Sequence, residues 1–496
     1  MISINIINPE NQLILKSEAG SSLLDILRKN GLAIYAPCGG KGSCGKCRVK
    51  VKGQGEVISC RYHPVYDIDV LLPGNEEASI LVAQTKYLED LPFNIGTHHF
   101  ETSSPCGVAV DIGTTSVVLY FLNLITGEIE KISSFLNPQK LYGADVISRI
   151  SYCQENVTGL MELQKSLVDS INFELNGFIH EKSLESENLE RIVFVGNATM
   201  LHILLGEDPV SIALAPFKPR FTDKQERRGS QTGLRVNKDA LIVTLPCISA
   251  YVGADILAGL TALRIRKKNY LFLDIGTNGE IALIIDKKIY TCATAAGPAF
   301  EGANISCGMG AISGAISVYN DPENYTVIGN VKPVGICGSG IVDIVAYLIR
   351  AEIIDETGLL KETFSICPEK GVQIIQQDIR EIQLAKSAIY SGIKILMNKA
   401  GLSFDETDGL YLAGGFGNYI SIQSAIAIGL LPVELKDKIY PVGNSAGIGA
   451  LQYLKSDKFK SKSDTILGNT SYVELSDIEE FTLEFAMNMD FRKFNT

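Results

Sequence analysis

Cys38, Cys44, Cys47 and Cys60 read C-x5-C-x2-C-x12-C, the first three inside APCGGKGSCGKCRVKV and the last closing VISC. Four thiolates at that spacing can hold an iron–sulfur cluster, and a protein that holds one moves single electrons. Gly39, Gly40, Gly42 and Gly45 interleave the thiols. Glycine lets the backbone curl around a compact object and turn its N–H groups inward, where they hydrogen-bond sulfide and thiolate and tune the reduction potential. A structural zinc site with four cysteine ligands is the strongest competitor. Zinc ribbons usually pair two C-x2-C knuckles and this chain has one, so a cluster is favoured. Four unlinked buried thiols at such density are the least favoured reading. Cys106, Cys153, Cys247, Cys292, Cys307, Cys337 and Cys367 are scattered and read by default as buried apolar residues.

A second chemistry sits further along. GVAVDIGTTSVVLYFL carries Asp111 and NYLFLDIGTNGEIALII carries Asp274. An apolar strand ending in Asp, then Gly-Thr, puts a carboxylate at the mouth of a cleft. The backbone amides and hydroxyls of Gly113, Thr114 and Thr115, and of Gly276, Thr277 and Asn278, form concave anion sites. Two such turns facing each other grip a polyphosphate from both sides, with Asp111 and Asp274 placing Mg2+ partly through water. One such turn alone could be an ordinary β-turn. Two in matching contexts, about one domain length apart, argue a duplication that makes two lobes around a cleft. No Walker A motif is present.

Gly414, Gly415 and Gly417 in LYLAGGFGNY follow a buried strand and leave room for an adenine ring and ribose. Gly338-Ser339-Gly340 in GICGSGIVDIVAYL opens a helix, whose N-terminus attracts anions. Simple turn geometry explains each of these equally well. The order G-x-x-G-x-G is not the dinucleotide fingerprint, so a nicotinamide cofactor is rejected. Asp145, Asp255 and Glu280 are candidate cleft carboxylates. Asp145 and Asp255 each stand in a G-A-D triplet, where charge at a helix start serves as well. His63, His98, His99, His180 and His202 show no metal-ligand spacing.

These residues need positioning elements. Ile2, Ile4 and Ile6 alternate with polar residues as a half-buried strand. Asn8–Asn11 supplies a turn, and Leu13 and Leu15 lie on a second strand. Ser21 or Ser22 caps a short helix carrying Leu23, Leu24 and Leu27 and ended by Asn30-Gly31. Strands at 48–52 and 67–72 complete a β-grasp over residues 1–84. Residues 85–105 read as a linker. Beyond it the pattern is α/β: a strand pair over 108–122, an amphipathic helix through Leu160, Leu163, Leu167, Ile171 and Leu175, and a strand at 192–195 running into a helix at 199–205. The lobes are expected at 106–270 and 271–455, with an extension at 456–496.

The chain has 496 residues, 46% hydrophobic and 20% charged, and a formal net charge of −11. That length needs several domains. The acidic balance without a basic patch argues against nucleic acid. The start lacks the pattern of a signal peptide, and no stretch reads as a membrane span; the nearest, 419–430, is broken by Ser421, Gln423 and Ser424. Eleven cysteines in that context point to a reducing cytoplasm without disulfides.

The cysteine segment resembles the 2Fe–2S ferredoxins over residues 1–84. DIGTTS, DIGTNG and LAGGFG resemble the two phosphate motifs and the adenosine motif of the actin-like ATPases, which include sugar kinases and chaperones. CISAYVGADILAGL and YPVGNSAGIGAL resemble their two connecting helices. Together with NPQKLYGADVISRI, VGNATMLHILLG and GICGSGIVD, the whole chain resembles the ATP-dependent reductive activators of corrinoid proteins. The fold implied is α+β and α/β: an N-terminal β-grasp 2Fe–2S ferredoxin, then a two-lobed actin-like ATPase with duplicated ribonuclease H-like lobes. Many members of that family carry a further domain between the two parts, where this chain has only 85–105. The resemblance implies one-electron reduction of inactive Co(II) to Co(I) in a corrinoid protein of a methyltransferase system. It implies a 2Fe–2S cluster on Cys38, Cys44, Cys47 and Cys60, ATP and Mg2+, and an upstream low-potential electron donor. It leaves a homodimer open. The alternatives are an activator of 2-hydroxyacyl-CoA dehydratases, tested through Cys292 or Cys307; a small-molecule kinase with a ferredoxin sensor; and an electron carrier with inactive lobes. Replacing Cys44 by Ala should abolish the visible absorbance of the cluster and leave ATP binding, followed by titration, largely intact.

Overall fold

A computed structural model describes all residues except 1, 8–11, 18–19, 31, 33, 35–39, 41, 43–46, 73–86, 95–99, 265–267 and 492–496. The N-terminal hairpin pairs β1 (Ile2–Ile7) with β2 (Gln12–Ser17) antiparallel. The expected turn at 8–11 lies outside the described residues. Alternation turns Ile2, Ile4 and Ile6 inward, where the helix Leu23–Lys29 covers them with Leu23, Leu24, Ile26 and Leu27. Ser22 caps that helix, its hydroxyl accepting from the Asp25 N–H at 3.1 Å. β3 (Arg48–Val51), β4 (Gly55–Ile58) and β5 (Ile68–Leu71) complete a sheet of order β2-β1-β5-β3-β4, with β1 parallel to β5. This is the β-grasp arrangement. Strand β4 has no sequence signature, since its residues are exposed or only partly buried.

The next sheet is built from β6 (Cys106–Ile112), β7 (Ser116–Asn123), β8 (Ile129–Leu136), β9 (Leu189–Gly196), β10 (Gln225–Arg228) and β11 (Leu241–Thr244), in the order β10-β11-β9-β6-β7-β8. The second lobe begins with β12 (Asn269–Ile275), β13 (Gly279–Ile285) and β14 (Lys288–Thr294). A small sheet of β15 (Ala315–Asp321), β16 (Asn324–Val327) and β17 (Gly335–Ile336) follows, then the pair β18 (Phe364–Cys367) and β19 (Val372–Ile374). With β20 (Gly409–Ala413), β21 (Ile439–Gly443) and β22 (Thr470–Tyr472), the main sheet runs β21-β20-β12-β13-β14-β22. Both large sheets therefore start with an antiparallel meander and add two parallel strands beside its first strand. Asp111 and Asp274 hold the same place, one residue before the end of that first strand. The duplication expected from the repeated D-I-G-T is present in the topology. Strands such as β6 and β12 are near-continuously apolar because elements cover both faces.

Two helices, Ala254–Ala262 and Ser445–Lys455, cross between the lobes and pack on each other. They meet through glycine. A Cβ on Gly449 would stand 2.3 Å from the Ala258 carbonyl oxygen, and one on Gly259 would stand 2.8 Å from Ser445 Oγ. The segment leading from the β-grasp is tied to this crossing. The Glu89 N–H donates to the Ala262 carbonyl at 2.8 Å, and the Asn94 N–H donates to the Lys455 carbonyl at 2.9 Å. The Leu91 N–H donates to Gln452 Oε1 at 3.1 Å, and Leu88 is buried. Mixed polarity reads as a linker in sequence, yet residues 87–94 lie as a strap. The last segment is equally engaged. β22 extends the second lobe's sheet beside β14, and Lys386 Nζ donates to the Asp490 carbonyl at 2.6 Å.

Gly449→Ala gains about 1 kcal/mol of helix propensity, but a backbone carbonyl cannot yield to the new methyl, and overpacking costs roughly 1–3 kcal/mol. A net loss of about 1 kcal/mol or more is expected, read as a lower urea midpoint.

Candidate functional site

The first D-I-G-T turn closes with the Gly113 N–H donating to the Ser116 carbonyl at 2.9 Å. Three asparagines hold it. Asn137 Nδ2 donates to the Gly113 carbonyl at 2.8 Å and Asn197 Nδ2 to Thr114 Oγ1 at 3.3 Å. The Asn444 side chain hydrogen-bonds the Asp111 carboxylate. Each of these asparagines also caps a helix or helical turn, its Oδ1 accepting from Gln139, Met200 or Gly447. A side-chain amide accepts at the cap with its oxygen and donates to the loop with its nitrogen. Arg149, fully buried, donates to the Thr114 carbonyl at 2.6 Å and to the Gly143 carbonyl at 2.9 Å. Burial lowers its pKa to about 10 against the pull of Glu301 and Asp145.

In the second turn the Gly276 N–H donates to the Asn278 carbonyl at 2.9 Å. Thr277 Oγ1 donates to Glu301 Oε2 at 3.2 Å. Glu301 also takes a hydrogen bond from the Thr115 side chain, so one carboxyl links the two turns across the cleft.

Carboxyl groups crowd this place. Burial first, then Asp255, then Asp274, push the Asp111 pKa up to about 8, against the Asn444 hydrogen bond. Burial and Asp255 push Asp274 to about 7. Burial pushes Asp255 to about 6, against the N–H bond from Ile256. Glu280 is held well above the usual range by burial, Asp255 and Asp274. Groups so placed resist sharing full negative charge and favour a cation. Among the described residues no group of three or more His, Cys, Asp or Glu could hold a metal ion. The donor set therefore suits Mg2+ that keeps several waters and completes its octahedron with phosphate oxygens.

Gly414 brings the third glycine segment against the second aspartate. Its φ is +81°, and a Cβ there would stand 2.4 Å from Asp274 Oδ1. Gly415 faces open space, whereas Gly417 packs on Leu412. Gly338-Ser339-Gly340 serves close packing. A Cβ on Gly338 would meet the Phe300 carbonyl and one on Gly340 the Ile316 carbonyl, and Ser339 Oγ donates to the Ser317 carbonyl at 2.7 Å. Asp145 caps the helix Val146–Glu155, accepting from the Ser148 N–H at 2.7 Å. Asp255 stands in the first turn of Ala254–Ala262, yet its charge also acts on Asp111 and Asp274. Sequence reasoning did not single out Arg149, Glu301 or the three asparagines. The available signal was the Asn just ahead of the helical residues in NPQKLYGADVISRI, VGNATMLHILLG and YPVGNSAGIGAL.

A cavity of about 1770 Å³ lies beside the turns, lined by Thr277, Asn278 and Glu280, by Tyr142 and Tyr152, and by Arg28 of the β-grasp. Cys38 and Cys44 lie outside the described residues. Cys47 is fully buried and Cys60 is partly buried. Gly40 and Gly42 have φ of +96° and +77°. A Cβ on Gly40 would stand 3.1 Å from Leu24 Cδ2 and 4.0 Å from Cys60 Cβ. Glycines in the left-handed region at 40 and 42, near Cys60, fit the cradle of a compact cluster. Cys292 is fully buried in the second lobe's core, so it offers nothing to a cluster shared between subunits.

Two duplicated lobes around this cleft, with a cysteine-loop β-grasp ahead of them, define an actin-like ATPase joined to an iron–sulfur domain. Three family profiles match in order: a 2Fe–2S iron–sulfur cluster binding domain over residues 5–65, the RACo middle region over 106–268, and the C-terminal domain of RACo, the ASKHA domain, over 268–496. The chain is 31% identical to the corrinoid activation enzyme RamQ of Eubacterium limosum, covering 95% of this chain and 96% of that protein. It is 25% identical to the [Co(II) methylated amine-specific corrinoid protein] reductase of Methanosarcina barkeri, covering 68% of each. The solved structure of a reductive activator for corrinoid, iron–sulfur protein is 27% identical, with a TM-score of 0.70 over 98% of each chain. The chain belongs to this family of corrinoid-protein activators. The alignment with RamQ runs over 576 positions, more than the 496 residues here, so that relative carries segments without a counterpart.

The raised carboxyl pKa values set a pH dependence. A group whose folded pKa lies above its unfolded value binds more protons when folded, so stability falls as pH rises between the two. Metal-free protein should lose thermal stability from about pH 4 to pH 8, and Asp255→Asn should flatten that slope. MgATP should raise the melting temperature more at pH 8 than at pH 6.

Proposed function

We propose that this protein reactivates a corrinoid protein by ATP-dependent reduction of Co(II) to Co(I). One observation carries the reading: a carboxylate-crowded cleft between duplicated lobes shares a chain with a β-grasp bearing a cysteine loop. The four cysteines Cys38, Cys44, Cys47 and Cys60 hold a 2Fe–2S cluster, which supplies one electron at a time. A low-potential donor refills it. Residues 1–84 form the electron-transfer domain, 106–270 and 271–455 the lobes, and 456–496 a C-terminal extension.

The amides and hydroxyls of Thr114, Thr115, Thr277 and Asn278 hold the phosphates from both lobes. Asp111 and Asp274 place hydrated Mg2+ and orient the attacking water, and Asp255 keeps both carboxylates in demand of the cation. Gly415 leaves space for adenosine, while Gly414 lets that segment reach Asp274. The Glu301 link between Thr115 and Thr277 draws the two turns together, so phosphate competes for the same hydroxyls. Nucleotide binding then favours one arrangement of the lobes by its differential affinity. Co(I) is a strong reductant, so the transfer is uphill. A gap of about 100 mV costs about 2.3 kcal/mol per electron, which such a population shift can offset.

Anaerobic mixing of reduced protein with a Co(II) corrinoid protein should give Co(I) absorbance with MgATP and little without it. Asp274→Asn should slow the ATP-dependent rate by about 100-fold or more. Cobalt reduction at full rate without nucleotide, or phosphorylation of a small molecule at ordinary turnover, would overturn the assignment.

A further inference from the structure

Arg28 lies in the last turn of the helix Leu23–Lys29, between two parts of the molecule. On one side its Nη1 lies 3.4 Å from the place a Cβ on Gly40 would take, in the cysteine loop. On the other side the guanidinium stands over the Tyr142 ring at 5.9 Å from its centroid. Tyr142 packs on Tyr152 at 4.9 Å between centroids, and Tyr152 donates from its hydroxyl to Glu162 at 2.6 Å. Tyr152 shares the helix Val146–Glu155 with Arg149, which donates to the Thr114 carbonyl of the first phosphate turn. One contact therefore joins the cysteine loop, through two rings and one helix, to a turn that holds phosphate.

We propose that Arg28 is a positioning residue that docks the β-grasp on the Tyr142–Tyr152 wall and, while docked, raises the reduction potential of the cluster. The proposal rests on the cluster assignment and not on the identity of the acceptor. A cation beside an anionic cluster favours its reduced form, and the effect grows as water is excluded. Burial against the rings already lowers the Arg28 pKa, which marks the site as partly dehydrated. Docked, the cluster is easier to reduce from the donor. Released when nucleotide shifts the first turn and its helix, Arg28 regains water and the cluster becomes the stronger reductant. One electron enters in the first state and leaves for the acceptor in the second.

The test needs no corrinoid protein. The midpoint potential of cluster-loaded, full-length protein is measured by EPR-monitored titration in wild type, Arg28→Met, Tyr142→Leu and the double variant. Each single substitution should shift the reduction equilibrium by on the order of tenfold toward the oxidised form, about 59 mV for one electron. The double variant should fall no lower than Arg28→Met. In apo protein, Tyr142→Leu should speed amide exchange over residues 23–29 and 146–155. An unchanged potential in Arg28→Met, a wild-type potential in Tyr142→Leu, or unchanged exchange would overturn the proposal. A missing Co(I) signal in the corrinoid assay, with these shifts present, would instead count against the acceptor. A wild type without a cluster spectrum would overturn the cluster assignment and this proposal with it.

Discussion

Too many carboxyl groups share one cleft. Asp111, Asp255, Asp274, Glu280 and Glu301 come from both lobes and the hinge; burial lifts the pKa of each, and repulsion within the set adds to it at Asp111, Asp274 and Glu280. Every other feature of the ATPase part bears on that crowding. The duplicated sheets deliver an aspartate from each side. The hinge helix Ala254–Ala262 delivers Asp255 between them. Asn444 and the two threonines supply the hydrogen bonds that partly relieve the charge. On the proposed function, a cation with phosphate would relieve the rest.

The first D-I-G-T turn shows how such a site is held without rigid covalent means. Asn137, Asn197 and Asn444 each use one amide group twice, the oxygen on a helix start and the nitrogen on the turn or its aspartate. The helices thus report their positions to the turn directly. Arg149 does the same for the helix Val146–Glu155.

Much of this was legible in the sequence. Alternating isoleucines and a serine cap specified the hairpin and first helix, because local pattern and burial agree there. The repeated D-I-G-T specified two equivalent strands, and the topology repeats accordingly. Strand β4 was not legible, since it pairs at an edge with little burial. The strap at 87–94 was not legible either: its order comes from backbone bonds to Ala262 and Lys455, distant in sequence. Gly338 and Gly340 read as an anion site, but their glycines answer to the carbonyls of Phe300 and Ile316. Glu301 gave no signal, because what distinguishes it is the meeting of Thr115 and Thr277 across the cleft.

The strap has a mechanical consequence. When two bodies rotate about an axis, a point on the axis barely travels, and displacement grows with distance from it. Residues 87–94 are fastened to the ends of the two hinge helices, close to where the lobes pivot. The Arg28 contact sits out on one lobe, at the end of a lever. On the proposed docking, rotation of the lobes would therefore lift the β-grasp off its seat while residues 87–94 travel least.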